Sequence, residues 1–165
     1  VKVTPLIKKQ DQLNLISQNL LLFYTGITRE SSTVLEDQNK NLMSKDDSII
    51  AMKENVRLSR WLVEHLHSKE YKYIGHALRM NWNLKLKFSD KIVNKDLIKM
   101  YETAREGGAT GGKIIGAGGG GFMMFYVERA KQQLMEKVVC ELGDYRAMDF
   151  KIDCYGSRVL LNVET

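Results

Sequence analysis

The order of apolar patterns along the chain predicts an α+β domain built on a mainly antiparallel sheet. Three observations carry that prediction. A continuous apolar run, Leu20 to Tyr24, reads as a strand. Two more apolar runs flank a glycine-rich loop, and most of the thirteen glycines fall between Gly107 and Gly121. Apolar residues at spacings of three and four fill the intervals as helices. With a helical insertion set aside, the order is β-α-β-β-α-β, the split ferredoxin-like arrangement. Helices are expected on one face of the sheet. At 165 residues the chain is expected to be one domain, residues 1–165.

Each element has its own reason. Val1 and Val3 alternate with Lys2 and Thr4 as an edge strand that Pro5 ends. Leu20 to Tyr24 suits a strand buried on both faces, closed by a Thr25-Gly26 turn. Ser44 and Asp47 make a capping box with a shortened acid. Behind it Ile49, Met52, Val56, Val63 and Leu66 share one helical face. Tyr71, Ile74, Leu78, Trp82 and Lys85 continue at helical spacing. Asn94 caps a helix with Leu97, Tyr101 and Ala104 on one face, and Gly107-Gly108 stop it in left-handed geometry. Lys113-Ile114-Ile115 and Phe122 to Val127 are too short for helices and read as buried strands. Leu134, Val138 and Leu142 form a last helix ended by Gly143. Phe150, Ile152 and Cys154, then Val159, Leu161 and Val163, alternate as closing strands around Tyr155-Gly156.

Composition excludes several classes. Apolar residues at 44% and charged residues at 27% argue against wholesale disorder. No run approaches a membrane-spanning length, so no membrane partner is expected. The first residues carry no signal peptide and no initiator Met, so the chain is expected to be a processed protein or an excised piece. A net charge of +5 suits phosphorylated ligands or nucleic acid without choosing between them. Cys140 and Cys154 form no framework and fit a reducing compartment, so a cytoplasmic location is expected.

The segment Gly111-Gly112-Lys113-Ile114-Ile115-Gly116-Ala117-Gly118-Gly119-Gly120-Gly121-Phe122 is the strongest chemical signal. Consecutive glycines cost backbone entropy unless unusual dihedrals or close approach require them. Backbone amides without side chains can form an anion-binding concavity. Gly116, Gly118 and Gly121 match G-x-G-x-x-G, but a strand follows where the dinucleotide motif needs a helix. Lys113 precedes the glycines, so the run is no P-loop. A glycine-rich hairpin without a ligand is the plain alternative. His65, His67 and His76 form no cluster with metal spacing, and no metal site is expected in this chain. Lys69 to Lys87 mixes aromatic and basic residues like an RNA-binding stripe, but its aromatics fall at core-facing intervals, and no nucleic-acid partner is expected.

Thr110-Gly111-Gly112-Lys113 through Gly121-Phe122 resembles the third signature motif of the GHMP small-molecule kinases. Leu21 to Arg29 and Trp82-Asn83-Leu84-Lys85 resemble the sugar-kinase branch, which includes D-glycero-D-manno-heptose 7-phosphate kinases and the C-terminal region of fucokinases. The resemblance covers nearly the whole chain and implies a ferredoxin-like GHMP kinase C-terminal domain with extra helices. It also implies partners: an N-terminal half that binds ATP and Mg2+, and a sugar phosphate as acceptor. That half carries a Gly/Ser phosphate loop and an acidic residue, and no such segment stands in these 165 residues. No catalytic residue is therefore expected in this chain, and the chain alone is expected to be inactive.

The resemblance assigns Gly116, Ala117, Gly118, Gly119, Gly120 and Gly121 to a phosphate or active-site loop that packs against the nucleotide loop. Arg29, just past the Thr25-Gly26 turn, is a candidate for binding the acceptor's phosphate; a solvated Arg is the alternative. Lys113 either points into the cleft or snorkels at a strand end. Trp82 and Lys85 read as core packing with a flanking charge. The implied reaction is transfer from ATP to the anomeric hydroxyl of heptose 7-phosphate, for nucleotide-activated heptose in polysaccharide biosynthesis. A fucokinase-like or other GHMP kinase is one alternative. A stand-alone ferredoxin-like module for RNA or a small ligand is another, and a homodimer stays open.

Overall fold

A computed structural model describes residues 5–7, 9–28, 36, 46–86, 95–116 and 120–153. The edge strand expected at Val1 and Val3, the caps at Ser44 and Asn94, Arg29, Ala117, Gly118, Gly119, and the closing residues from Cys154 onward lie outside them. The described elements are α1 (Gln10–Ser17), β1 (Leu20–Tyr24), α2 (Asp46–His67), α3 (Tyr73–Lys85), α4 (Lys95–Glu106), β2 (Ala109–Ile114), β3 (Phe122–Val127), α5 (Gln132–Cys140) and β4 (Arg146–Met148).

The four strands form one sheet in the order β2-β3-β1-β4, with every neighbour antiparallel. This is the expected ferredoxin-like order. Register places Leu21 opposite Phe125 and Phe23 opposite Met123, while Leu20 faces Tyr126 and Leu22 faces Met124. Because strand side chains alternate, these pairs define the two faces of the sheet. The first face, with Phe23, Met123, Phe125, Val127 and Ile114, packs on Leu97, Met100 and Ala104 of α4 and Met135 and Val139 of α5. On the other face Leu20 and Tyr126 pack with Ile16 of α1 and Ile74 and Leu78 of α3, so helices cover both faces of the sheet and not one alone.

Several expectations are corrected in detail. α1 is a helix that the patterns did not announce. On α2 the buried positions are Ser48, Ala51 and Leu58, whereas Ile49, Met52 and Val56 are exposed. The last helix buries Met135 and Val139, one position along from the expected face, and leaves Leu134 exposed. It ends at Cys140, before Gly143. The fourth strand is Arg146–Met148, and residues 149–153 carry no ladder. Phe150 and Ile152 alternate because they pack on the second cluster, and burial does not require strand pairing.

The approach of α3 to β2 positions the site. A Cβ on Gly75 would lie 2.7 Å from the Thr110 Cβ, and one on Gly111 would fall onto the Gly75 carbonyl oxygen and 2.8 Å from the Arg79 nitrogen. With no side chain at either crossing point, helix and strand come into backbone contact. From Gly75 to Lys85 the helix advances about 15 Å. From Gly111 to Gly116 an extended chain advances about 17 Å. The helix end therefore arrives beside the loop that leaves β2.

Candidate functional site

The glycine loop connects β2 to β3 and is tied down at both ends. At its base Ile115 N donates to the Phe122 carbonyl at 2.8 Å. At its far end Gly121 is held by the turn that follows β1. Thr25 N donates to the Gly121 carbonyl at 2.9 Å, and the Thr25 hydroxyl donates to the same oxygen at 3.0 Å. Gly121 N donates back to the Ile27 carbonyl at 2.7 Å. Ile27 N donates to the Thr25 hydroxyl oxygen at 3.3 Å, which closes the turn on itself. The Tyr24 and Phe122 rings, 5.3 Å apart, flank this junction.

Glycine is required here for two separate reasons. Gly116 and Gly121 sit at φ +73° and +84°, where a side chain is strained. A Cβ on Gly120 would fall onto the Ile27 carbonyl oxygen. At Gly120 and Gly121 the backbone of the loop therefore lies directly against the turn after β1. The turn expected at Thr25-Gly26 is present, with Gly26 at φ +70°.

Two lysines stand at the loop's entrance. Lys85, in the last turn of α3, donates from Nζ to the Gly116 carbonyl at 2.6 Å. Its residue surface is 8% exposed. Burial, and then repulsion from the Lys113 ammonium, push its pKa down from 10.5 to about 8. Lys113 lies half-buried on β2, and burial lowers its pKa as well. Trp82, one turn before Lys85, is buried and stacks on Tyr101 with ring centroids 4.8 Å apart. Trp82 is thus the core residue the sequence suggested. Lys85 is not a flanking surface charge: it is a buried cation on the loop. Its place in the series Tyr71, Ile74, Leu78, Trp82, Lys85 was the signal for this, since a lysine at a core-facing position needs a reason to be there.

The lysine makes a testable contribution to stability. Unfolded Lys85 would titrate near 10.5 and the folded residue near 8. Between those values the unfolded chain binds more protons, so this residue's contribution to stability rises with pH over that window and is level below it. Urea denaturation of the wild type and Lys85→Met should show a stability difference that moves in favour of the wild type from about pH 8 to 10.5. A pH-independent difference would mean that Lys85 titrates as an exposed lysine.

The remaining expectations can be placed. Gly116, Gly120, Gly121 and Lys113 come together at one end of the sheet, with Lys85 added by the structure. Phe125 is fully buried and Phe122 is partly exposed, so the two do not form a surface pair for stacking bases. Among the described residues no three of His, Cys, Asp and Glu come together as a metal-binding group. The loop and its lysines offer Mg2+ no carboxylate, so these residues do not fit the ion and no step is routed through it. No helix among the described residues is long and apolar enough to cross a membrane.

Comparison with known proteins agrees with this geometry. Residues 62–144, from the end of α2 through α5, match the family described as GHMP kinases C terminal. The D-glycero-alpha-D-manno-heptose 7-phosphate kinase of Campylobacter jejuni is 30% identical over 139 residues, which cover 84% of this chain and 41% of that enzyme. The bifunctional fucokinase/GDP-fucose pyrophosphorylase of Arabidopsis thaliana is 26% identical over 153 residues, covering 92% of this chain and 14% of that protein. The crystal structure of L. major mevalonate kinase in complex with R-mevalonate superposes with a TM-score of 0.66 at 20% identity, over 74% of this chain and 37% of that one. The chain therefore spans less than half the length of each of these relatives. With the family's model matched over half of its residues and the fold shared, the chain belongs to the GHMP kinases, whose C-terminal domain it carries.

Proposed function

We propose that this chain is the C-terminal half of an ATP-dependent sugar kinase that phosphorylates D-glycero-D-manno-heptose 7-phosphate at its anomeric hydroxyl. One observation supports the reading: a glycine-rich loop is pinned to the turn after β1 at Gly121 and carries a buried ammonium on its first glycine. Phosphoryl transfer spreads negative charge over phosphoryl oxygens, and its catalysis is mainly positioning and electrostatic stabilisation. A rigid backbone wall beside two cations supplies both. The N-terminal half brings the nucleotide loop and the acidic residue that orients the acceptor hydroxyl. Gly116 to Gly121 close the pocket from the opposite side, and Lys113 and Arg29 contact the acceptor.

The relatives support two choices of acceptor. A heptose 7-phosphate kinase at 30% identity supports a phosphorylated sugar. The fucokinase relative, matched across 92% of the chain, supports an unphosphorylated one as the second reading. The complete enzyme, assayed with ATP against heptose 7-phosphate, fucose and galactose, should show its highest kcat/KM with heptose 7-phosphate. A preference for fucose would replace the acceptor and keep the kinase.

A further inference from the structure

We propose that Lys85 and Lys113 together form a binding site for the oxygens of a phosphate dianion at the entrance of the glycine loop. The inference rests on the kinase reading and adds a residue and a ligand chemistry to it. Lys85 carries three N–H donors, and the hydrogen bond to the Gly116 carbonyl uses one of them. Among the described residues neither lysine has an acidic partner. Glu54, Glu70, Glu128 and Glu141 pair instead with Arg57, His65, Lys131 and Lys137.

A buried cation with no counter-charge among the described residues is costly, and a second cation beside it adds to the cost. The fold nevertheless holds both. Gly75 and Gly111 let α3 close onto β2, and this brings the end of α3 to the loop. Lys85 sits on the core-facing side of that helix, where an apolar residue would pack without penalty. A ligand with two negative charges removes the repulsion between the lysines. A phosphate monoester carries nearly that charge near neutral pH, whereas a carboxylate leaves one lysine uncompensated. The same oxygens occur on a sugar phosphate and on a nucleotide, so the chemistry is shared and the source is a matter for experiment.

The test uses the chain itself, labelled at lysine 13Cε, and follows the Lys85 and Lys113 resonances by NMR during pH titration. Inorganic phosphate at saturation should raise the apparent pKa of Lys85 by about one unit or more. Lys113→Gln should weaken phosphate binding about tenfold or more, read as the displaced midpoint of the phosphate titration. Glucose 6-phosphate and a non-hydrolysable ATP analogue are then added in separate arms. Displacement of inorganic phosphate by the first places the acceptor's phosphate here, and displacement by the second places the nucleotide's. If saturating phosphate leaves the wild-type Lys85 titration unmoved, the proposal is wrong whatever the variant does. That failure leaves the kinase reading standing, because turnover of the complete enzyme decides it separately.

Discussion

Gly120→Val in the complete enzyme is expected to lower kcat/KM by at least about two orders of magnitude, or roughly 2.7 kcal/mol of transition-state stabilisation. The new Cβ would fall onto the Ile27 carbonyl oxygen, the acceptor for Gly121 N. That oxygen belongs to the backbone and cannot rotate away as a side-chain end could. The loop must lift from the turn after β1, and the hydrogen bonds from Thr25 to the Gly121 carbonyl are strained with it. A wall displaced by about an ångström is enough to cost this much when positioning supplies the rate. The sheet beneath should persist, since Phe122 to Val127 remain paired with β1 and β2. Circular dichroism should therefore be near wild type while steady-state kinetics collapse. Near-normal kinetics in the folded variant would reduce the loop to a connection between strands.

The second large effect concerns stability. Gly111→Val is expected to destabilise the chain by about 3 kcal/mol or more, the upper end of ordinary overpacking. Its Cβ would meet the Gly75 carbonyl oxygen and the Arg79 backbone nitrogen, both fixed in α3. Relief requires α3 to withdraw from β2, which uncovers Tyr126 and draws Trp82 away from Tyr101. For a chain of this size the loss corresponds to a fall in Tm of roughly 6–12 °C by thermal unfolding. An unchanged Tm would show that the helix–strand contact is loose. The same withdrawal would carry Lys85 off Gly116, so a folded Gly111 variant should also shift the Lys85 titration toward that of an exposed lysine.

The strands and the glycine loop were legible because their signals are local. Leu20 to Tyr24 and Phe122 to Val127 are continuous apolar runs, and both are strands; Leu20, Phe23 and most of the second run are buried, while Leu21, Leu22 and Tyr24 are half-buried and Phe122 is exposed. The family motif suggested a role for the loop, and the observed strand order agrees with the split ferredoxin-like pattern. Helix faces were harder where apolar residues exceed what one face can bury. On α2 the sequence offers Ile49, Ile50, Met52 and Val56, yet the buried positions are Ser48, Ala51 and Leu58. The strand at Arg146–Met148 was missed for a related reason, while the one expected around Val159 lies outside the described residues. Arg146–Met148 has little apolar pattern and is chosen by pairing with β1, which the sequence does not display. Lys85 was legible in position but not in environment. Its helical spacing put it on the core side, while its acceptor lies in a loop more than thirty residues away.

The measurement that bears most directly on the whole account compares phosphoryl transfer by this chain alone with transfer by the complete polypeptide, using ATP and heptose 7-phosphate and reading the product by 31P NMR. The expected result is no transfer by the chain alone, and transfer to the anomeric position by the complete protein. Failure of the complete protein to move phosphate from ATP to any sugar or sugar phosphate, or turnover by the isolated chain at the same rate, would contradict it.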